Sequence, residues 1–154
     1  MKCSTHIATG ALAGAIYVTF IPVHQTMVIP TVIMSAIGGM LPDIDHKSSF
    51  ISNLLIFPKA LPLKHRGITH SFASSMFTTL CVWVFGRTAA IMWFVGYLSH
   101  LVIDYLNTKG EQLFWPMPNR FCLKLCIANS PVSRFLFYLG ALVVILSTAR
   151  VFIL

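Results

Sequence analysis

The stretch TMVIPTVIMSAIGGMLPDIDH, Thr26 to His46, runs apolar for most of its length and then places two aspartates and a histidine in its last four positions. The whole chain holds only four acidic side chains: Asp43, Asp45, Asp104 and Glu111. The second two lie in SHLVIDYLNTKGE, Ser99 to Glu111, beside His100. A soluble domain carries charge on about a quarter of its residues, whereas this chain is 10% charged. Its acids gather at the ends of apolar segments, where an ionisable group is costly and usually serves a partner or a functional site.

The apolar character of Thr26–Leu41 continues through the chain. Of 154 residues 56% are hydrophobic and the mean hydropathy is +0.80, more apolar surface than one soluble core absorbs. The composition is that of a membrane protein, one domain over residues 1–154. Apolar segments at Ile7–Ile21, Thr26–Leu41, Ser71–Phe85, Thr88–Leu106 and Phe135–Arg150 are separated by Pro, charged or His-rich breaks. Most fall short of the roughly 20 residues that span a bilayer core. The expected architecture is therefore an all-α, polytopic membrane helix bundle of about four to five short helices, thinning the bilayer or leaving some segments short of a full crossing. Pro22 and the pair Gly86-Arg87 mark tight connections, and Gly10 and Gly14, with Ala11 and Ala15, allow the first helix to pack closely on a neighbour. Lys2 and the run after it also have the outline of a signal peptide, with Ala11-Leu12-Ala13 at the cleavage position. The apolar stretch before that position is very short and the composition continues unchanged, so a first membrane helix is the preferred reading.

Basic residues orient the bundle. With five helices, the N-terminal side holds Lys2, Lys47, Lys59, Lys64, Arg66, Lys109, Arg120, Lys124 and Arg134, and the other side only Arg87 and Arg150. The positive-inside rule makes the first side cytoplasmic. A net charge of +7 favours anionic headgroups or a phosphorylated substrate. Nucleic acid is not expected as a partner, since no long basic run or basic–aromatic alternation is present.

In this topology the chemistry-bearing residues fall on the cytoplasmic side. His6 opens the first helix, Asp43, Asp45 and His46 close the second, His65 and His70 precede the third, and His100 and Asp104 end the fourth, with Glu111 beyond. His24 falls on the opposite side and is read as a loop residue. His100 and Asp104, at i and i+4, project from one helical face, a good bite for a divalent metal. Asp43 and Asp45 follow Pro42 at a helix end, where a turn can aim both carboxylates inward. HRGITHS, His65 to Ser71, supplies His65 and His70 about a Gly67 hinge, with Arg66 able to fork onto phosphate or carboxylate. Either Thr69 or Ser71 can cap the next helix.

Singly, each residue has a bland explanation: His6 a cap, Asp43 a helix stop, His100–Asp104 an internal ion pair, Glu111 a solvated carboxylate, Arg66 a membrane-side anchor. Jointly they bring four segments to one level. A reducing compartment makes disulfides among Cys3, Cys122 and Cys126 unexpected, and Cys81 lies in an apolar helix. The Cys122–Cys126 spacing reads as structural filler, since no second pair or nearby His completes a zinc site. Trp83, Trp93 and Trp115, the last within Phe114-Trp115-Pro116, read as interfacial or core aromatics. No Walker loop, dinucleotide fingerprint or nucleophile elbow occurs.

LPDIDH, HRGITHS and GYLSHLVIDYLNTKGEQLFWP, preceded by a histidine near the N-terminus, resemble in order and spacing the bacterial family of LexA-binding, inner-membrane-associated metal-dependent hydrolases. The resemblance covers roughly residues 1–125. It implies a small inner-membrane protein with a hydrolytic metal site, and its motif positions fall on His6, Asp43, Asp45, His46, His65, Arg66, His70, His100 and Asp104. The expected function is metal-dependent hydrolysis of a phosphoester or lipid-linked substrate at the cytoplasmic face. His6, Asp43, Asp45, His65, His70, His100 and Asp104 are the expected metal ligands for one or two divalent ions, Zn²⁺ first, with Mn²⁺ or Fe²⁺ as alternatives. Asp45, His46 or Glu111 is the expected general base, and Arg66 stabilises developing negative charge. Membrane lipids and a small-molecule or lipid substrate are the expected partners. A divalent-metal transporter and a non-catalytic membrane scaffold are the competing readings; the first needs a continuous polar path across the bilayer, and the second predicts that ligand substitutions unfold the protein.

Overall fold

The computed structural model describes residues 3–46, 49–54, 65–125 and 130–153. Lys2, Lys47, Lys59, Lys64 and Cys126, which entered the charge and cysteine readings, lie outside these residues. Six α-helices are present among the described residues: α1 (Cys3–Phe20), α2 (Gln25–Met40), α3 (Phe50–Leu54), α4 (Phe72–Val82), α5 (Arg87–Tyr105) and α6 (Pro131–Ile153). Five correspond to the apolar segments of the sequence. The five-residue α3 does not, because one turn in a polar loop leaves no periodic signature.

Local chemistry sets the ends. α1 stops ahead of Pro22, and His24, expected as a loop residue, caps α2 by accepting the Thr26 amide on Nδ1. Pro30 sits inside α2 without ending it. Past Met40 the chain tightens into a 3₁₀ turn, Leu41–Asp45, with Pro42 at its start, where a missing amide hydrogen costs least. Of the two candidate caps for α4, Ser71 is the one used: its Oγ accepts the Ser74 amide at 3.2 Å. Within α4, Ser75, Thr78 and Thr79 return their hydroxyls to carbonyls of their own helix, which satisfies them in an apolar medium. Gly86, with φ +112°, turns the chain from the 3₁₀ turn Trp83–Phe85 into α5, a conformation only glycine adopts freely.

α1 packs on α2, α5 and α6, and α2 also packs on α5, which carries α4 on its other side. Small residues make the α1–α2–α5 seam. A Cβ on Gly10 would stand 2.7 Å from the Ser35 carbonyl oxygen, and one on Gly96 would overlap that same carbonyl. The close approach expected of Gly10 and Gly14 is thus present, against α2. Ser35 adds a hydrogen bond from its hydroxyl to the Gly10 carbonyl at 2.7 Å.

Burial is inverted relative to a water-soluble fold. Phe20, Ile33, Phe77, Leu80, Phe135 and Ile145 are exposed, while His6, His70, His100, Asp104 and Glu111 are inside. Such extensive apolar exposure marks a surface made for an apolar environment. α2 with its 3₁₀ turn, Gln25–Asp45, is the one helix among the described residues that is long and apolar enough to cross a membrane, at 21 residues or roughly 30 Å. The apolar stretches Phe72–Phe85 and Phe137–Leu146 are shorter.

Candidate metal centre

The 3₁₀ turn after α2, the 3₁₀ turn Ile68–His70 and the C-terminal half of α5 meet at one end of the bundle, beside the first turns of α1. His6, Asp43, Asp45, His70, His100, Asp104 and Glu111 are buried there, and Arg66 is 5% exposed. His65 lies at the edge, its side chain 37% exposed, and His46 sits outermost with its ring edge-on to that of His65.

Backbone acceptors and carboxylates set the two innermost histidines. His100 Nδ1 lies 2.7 Å from the Gly39 carbonyl oxygen, so that nitrogen carries the hydrogen and Nε2 has the lone pair. Thr69 donates its hydroxyl to Asp45 Oδ2 and must therefore accept from His70 Nδ1, 3.1 Å away. His70 Nε2 is thereby also left with a lone pair. The two Nε2 atoms stand 3.3 Å apart, each 3.8 Å from Asp43 Oδ1, and Asp104 Oδ2 is 4.0 Å from His70 Nε2. Three electron-pair donors, the two Nε2 atoms and Asp43 Oδ1, converge without a hydrogen between them, and Asp104 Oδ2, which accepts from Arg66, stands at their edge. Separations of this size suit ligands disposed about one Zn²⁺-like ion with bonds of about 2.0–2.2 Å.

The shell behind these atoms is hydrogen-bonded in turn. Asp45 accepts from the Arg66 amide at 3.1 Å, from Thr69 and from His65 Nδ1 at 2.8 Å, and lies 3.5 Å from His70 Nδ1. Its oxygens are occupied in orienting two histidines. Tyr97 donates to the Thr69 carbonyl, holding that turn against α5. Arg66 donates from Nη2 to Asp104 Oδ2 at 2.6 Å and from Nη1 to the Lys109 carbonyl. Its backbone is left-handed, φ +61°, a conformation that costs a non-glycine residue about 1 kcal/mol. Bonds from its amide to Asp45 and into its carbonyl from Gln112 hold it there. The turn expected at Gly67 is made one residue earlier, at Arg66.

His6 stacks on His100, with ring centroids 3.7 Å apart, and its Nε2 is 3.3 Å from Asp104 Oδ1. Beyond this ion-pair contact, neither ring nitrogen has a hydrogen-bond partner among the described residues. Both Glu111 carboxylate oxygens are buried and equally without one. Burial, with the Asp104 carboxylate nearby and against the pull of Arg66, pushes the Glu111 carboxyl up to about 9. Orphaned buried polar atoms are rare in folded proteins, and here they surround the converging lone pairs. Two ligand groups can be drawn, His6–His100–Asp104 and Asp43–His65–His70; the His70–His100 contact joins them.

Of the residues singled out in the sequence, His6, Asp43, His70, His100 and Asp104 meet at the centre, with Asp45 and Arg66 directly behind. His65 and His46 mark the rim, and Glu111 enters from the segment after α5. Thr69 and Tyr97 are the supporting residues that sequence reasoning did not assign to the site. Tyr97 was within reach of it, since Tyr97, His100 and Asp104 fall at i, i+3 and i+7 on one helical face.

The sequence profile of the family described as YdjM inner membrane protein matches residues 1–154. The chain is 33% identical over 122 residues to "Inner membrane protein YdjM" of Escherichia coli (strain K12), an alignment covering 71% of this chain and 60% of that protein. The protein of the same name from Shigella flexneri matches to the same extent. "Uncharacterized protein YvsG" of Bacillus subtilis (strain 168) is 29% identical over 148 residues, covering 91% of this chain and 89% of that one. The chain thus spans about 60% of the length of the first two relatives. No solved structure matches it.

Proposed function

From the premise that the chain belongs to the YdjM inner membrane protein family, we propose that it is a multi-pass, metal-dependent hydrolase whose site faces the cytoplasm and takes a phosphoester or lipid-linked substrate. The observation that carries this reading is the pair of facing histidine lone pairs, 3.3 Å apart, with Asp43 beside both. Two acceptors at that separation repel unless positive charge lies between them. Asp43, His70, His100 and Asp104 would hold a divalent ion, with His6 and His65 at hand for a further position. Such an ion supplies Lewis acidity, lowering the pKa of coordinated water and polarising a phosphoryl oxygen.

The remaining work falls to the chain. Asp45 and Thr69 keep His70 in the tautomer whose Nε2 points inward, and Gly39 does the same for His100. Arg66 binds Asp104 with one guanidinium nitrogen, and its position beside the cluster suits it to draw in the anionic group of a substrate and to stabilise charge developing on it. Glu111 fits proton exchange with the attacking water: it lies close enough to feel both Asp104 and Arg66, and among the described residues no hydrogen bond occupies its oxygens. Positive charge entering the cluster would oppose the burial that raises its carboxyl, in the direction a general base needs.

Elemental analysis of purified protein, combined with Glu111→Gln, tests the proposal. Bound Zn²⁺, Mn²⁺ or Fe²⁺ is expected in both proteins, with phosphoester turnover in detergent and anionic phospholipid lost only in the variant. Absence of metal after repletion would sink the metal centre. Bound metal with flux into proteoliposomes and no turnover on a broad phosphoester panel would replace the hydrolase by a transporter.

A further inference from the structure

The segment 112–125, between α5 and α6, contains almost no regular secondary structure yet is firmly held. The Phe72 amide donates to the Leu113 carbonyl at 2.9 Å, Leu123 to Tyr105 at 2.8 Å and Leu125 to Leu106 at 2.9 Å, and Glu111 and Phe121 exchange two bonds. Its backbone is spent inward while its side chains face out. Phe114, Trp115, Met117, Phe121, Leu123 and Leu125 are all exposed, Met117 at 60% and Leu125 at 70%. A segment fastened by its backbone with its apolar side chains outward is shaped for contact with something apolar.

Two observations identify the occupant. The exposed aromatics continue the apolar face of α4: Phe72 contacts Phe114, and Phe114 contacts Phe121, each with ring centroids 5.5 Å apart, and Phe72, Met76 and Leu80 extend that exposed strip along α4. Interleaved with them are exposed Arg120 and Lys124, while Asp104 and Glu111, the nearby acids, are buried. Aromatics with snorkelling cations are the composition of the bilayer–water interface, and the positive charge complements anionic headgroups.

We infer that segment 112–125 is an interfacial anchor, seated in the headgroup layer of an anionic phospholipid bilayer, which fixes the depth of the buried His/Asp cluster at that surface. The anchor reaches the cluster directly, through the Gln112 amide bonded to the Arg66 carbonyl at 3.2 Å. It is independent of the hydrolytic reading, since it requires only the bilayer and not the reaction.

The test is depth-resolved quenching of Trp115 fluorescence in phosphatidylethanolamine–phosphatidylglycerol vesicles, using protein whose other tryptophans are replaced (Trp83→Phe and Trp93→Phe). Spin labels near the lipid glycerol backbone are expected to quench Trp115 several-fold more strongly than labels deep in the acyl chains, and aqueous iodide only weakly. Trp115→Phe in the otherwise native chain is the complementary measurement, because Trp93 donates a hydrogen bond to Thr78 that the first variant loses. This change should remove a shallow-quenched component and leave the rest. Strong iodide quenching with no response to either lipid label, or no loss of shallow quenching in Trp115→Phe, overturns the inference and turns this surface over to water or to a protein partner.

Discussion

At the scale of single residues, the centre is a balance between carboxylates that are matched and one that is not. Asp45 and Asp104 are surrounded by donors, whereas Glu111 is buried without any. Its carboxyl stands at about 9 in the folded chain against 4.5 for the free group. Between those values the folded state binds the extra proton, so the contribution of this group to stability is complete below 4.5 and is lost as pH rises through about 9. In metal-stripped, detergent-solubilised protein, the unfolding temperature is expected to fall from pH 5 to pH 9, and Glu111→Gln to flatten that slope; an unchanged slope would place the titrating group elsewhere. The residues that line or support the converging lone pairs have a different signature. His100→Ala or Asp43→Ala should weaken metal binding by roughly tenfold or more, and Asp45→Asn, which loses only the support behind His70 and His65, by about 10- to 100-fold. Cys122→Ala should change nothing, since the hydrogen bond of that thiol goes to the Thr108 carbonyl and not to the cluster. Competition with a metallochromic chelator measures all four.

At the scale of elements, the α2–α5 seam decides whether the centre exists. Gly96 lies against the Ser35 carbonyl, and one helical turn further along α5 His100 donates its Nδ1 hydrogen to the Gly39 carbonyl of α2. A methyl group at position 96 forces the helices apart, at a cost of about 1–3 kcal/mol for overpacking. Gly96→Ala is therefore expected to lower thermal stability and metal affinity together, because the Gly39–His100 bond lengthens with the seam. Gly86→Ala strains a backbone with φ +112° and meets nothing within 4 Å. It should cost stability with metal affinity intact. Equal effects of the two substitutions on binding would disconnect the seam from the site.

At the scale of the whole molecule, the question is how the bundle stands in its membrane. Reporter fusions after Glu111 should report a cytoplasmic location and those at Arg87 a periplasmic one, as the concentration of basic residues on the first side requires. A clear periplasmic signal at Glu111 would move the site to the other face. Gln25–Asp45, the one helix among the described residues long and apolar enough to cross a membrane, carries Asp43 and Asp45 at its end, so whichever face it reaches is the face of the cluster.

Composition and the lengths of the apolar runs alone determined that the chain is helical and membrane-seated, because apolar excess and the breaks between segments are local properties that survive without knowledge of neighbours. They also marked His6, Asp43, His70, His100 and Asp104, since a charge or imidazole in an apolar setting is conspicuous wherever the chain later goes. Which of these residues face one another was settled only by the tertiary structure. That Asp45 supports rather than faces the converging lone pairs depends on Thr69 and the Arg66 amide reaching it from the other side of the cluster. The tautomer of His100 depends on a backbone carbonyl sixty-one residues away. The isolation of Glu111 depends on the chain folding back so that Phe121 pairs with its backbone and leaves its carboxylate inside. Such contacts arise from close approach between distant segments, and a linear pattern carries no record of them.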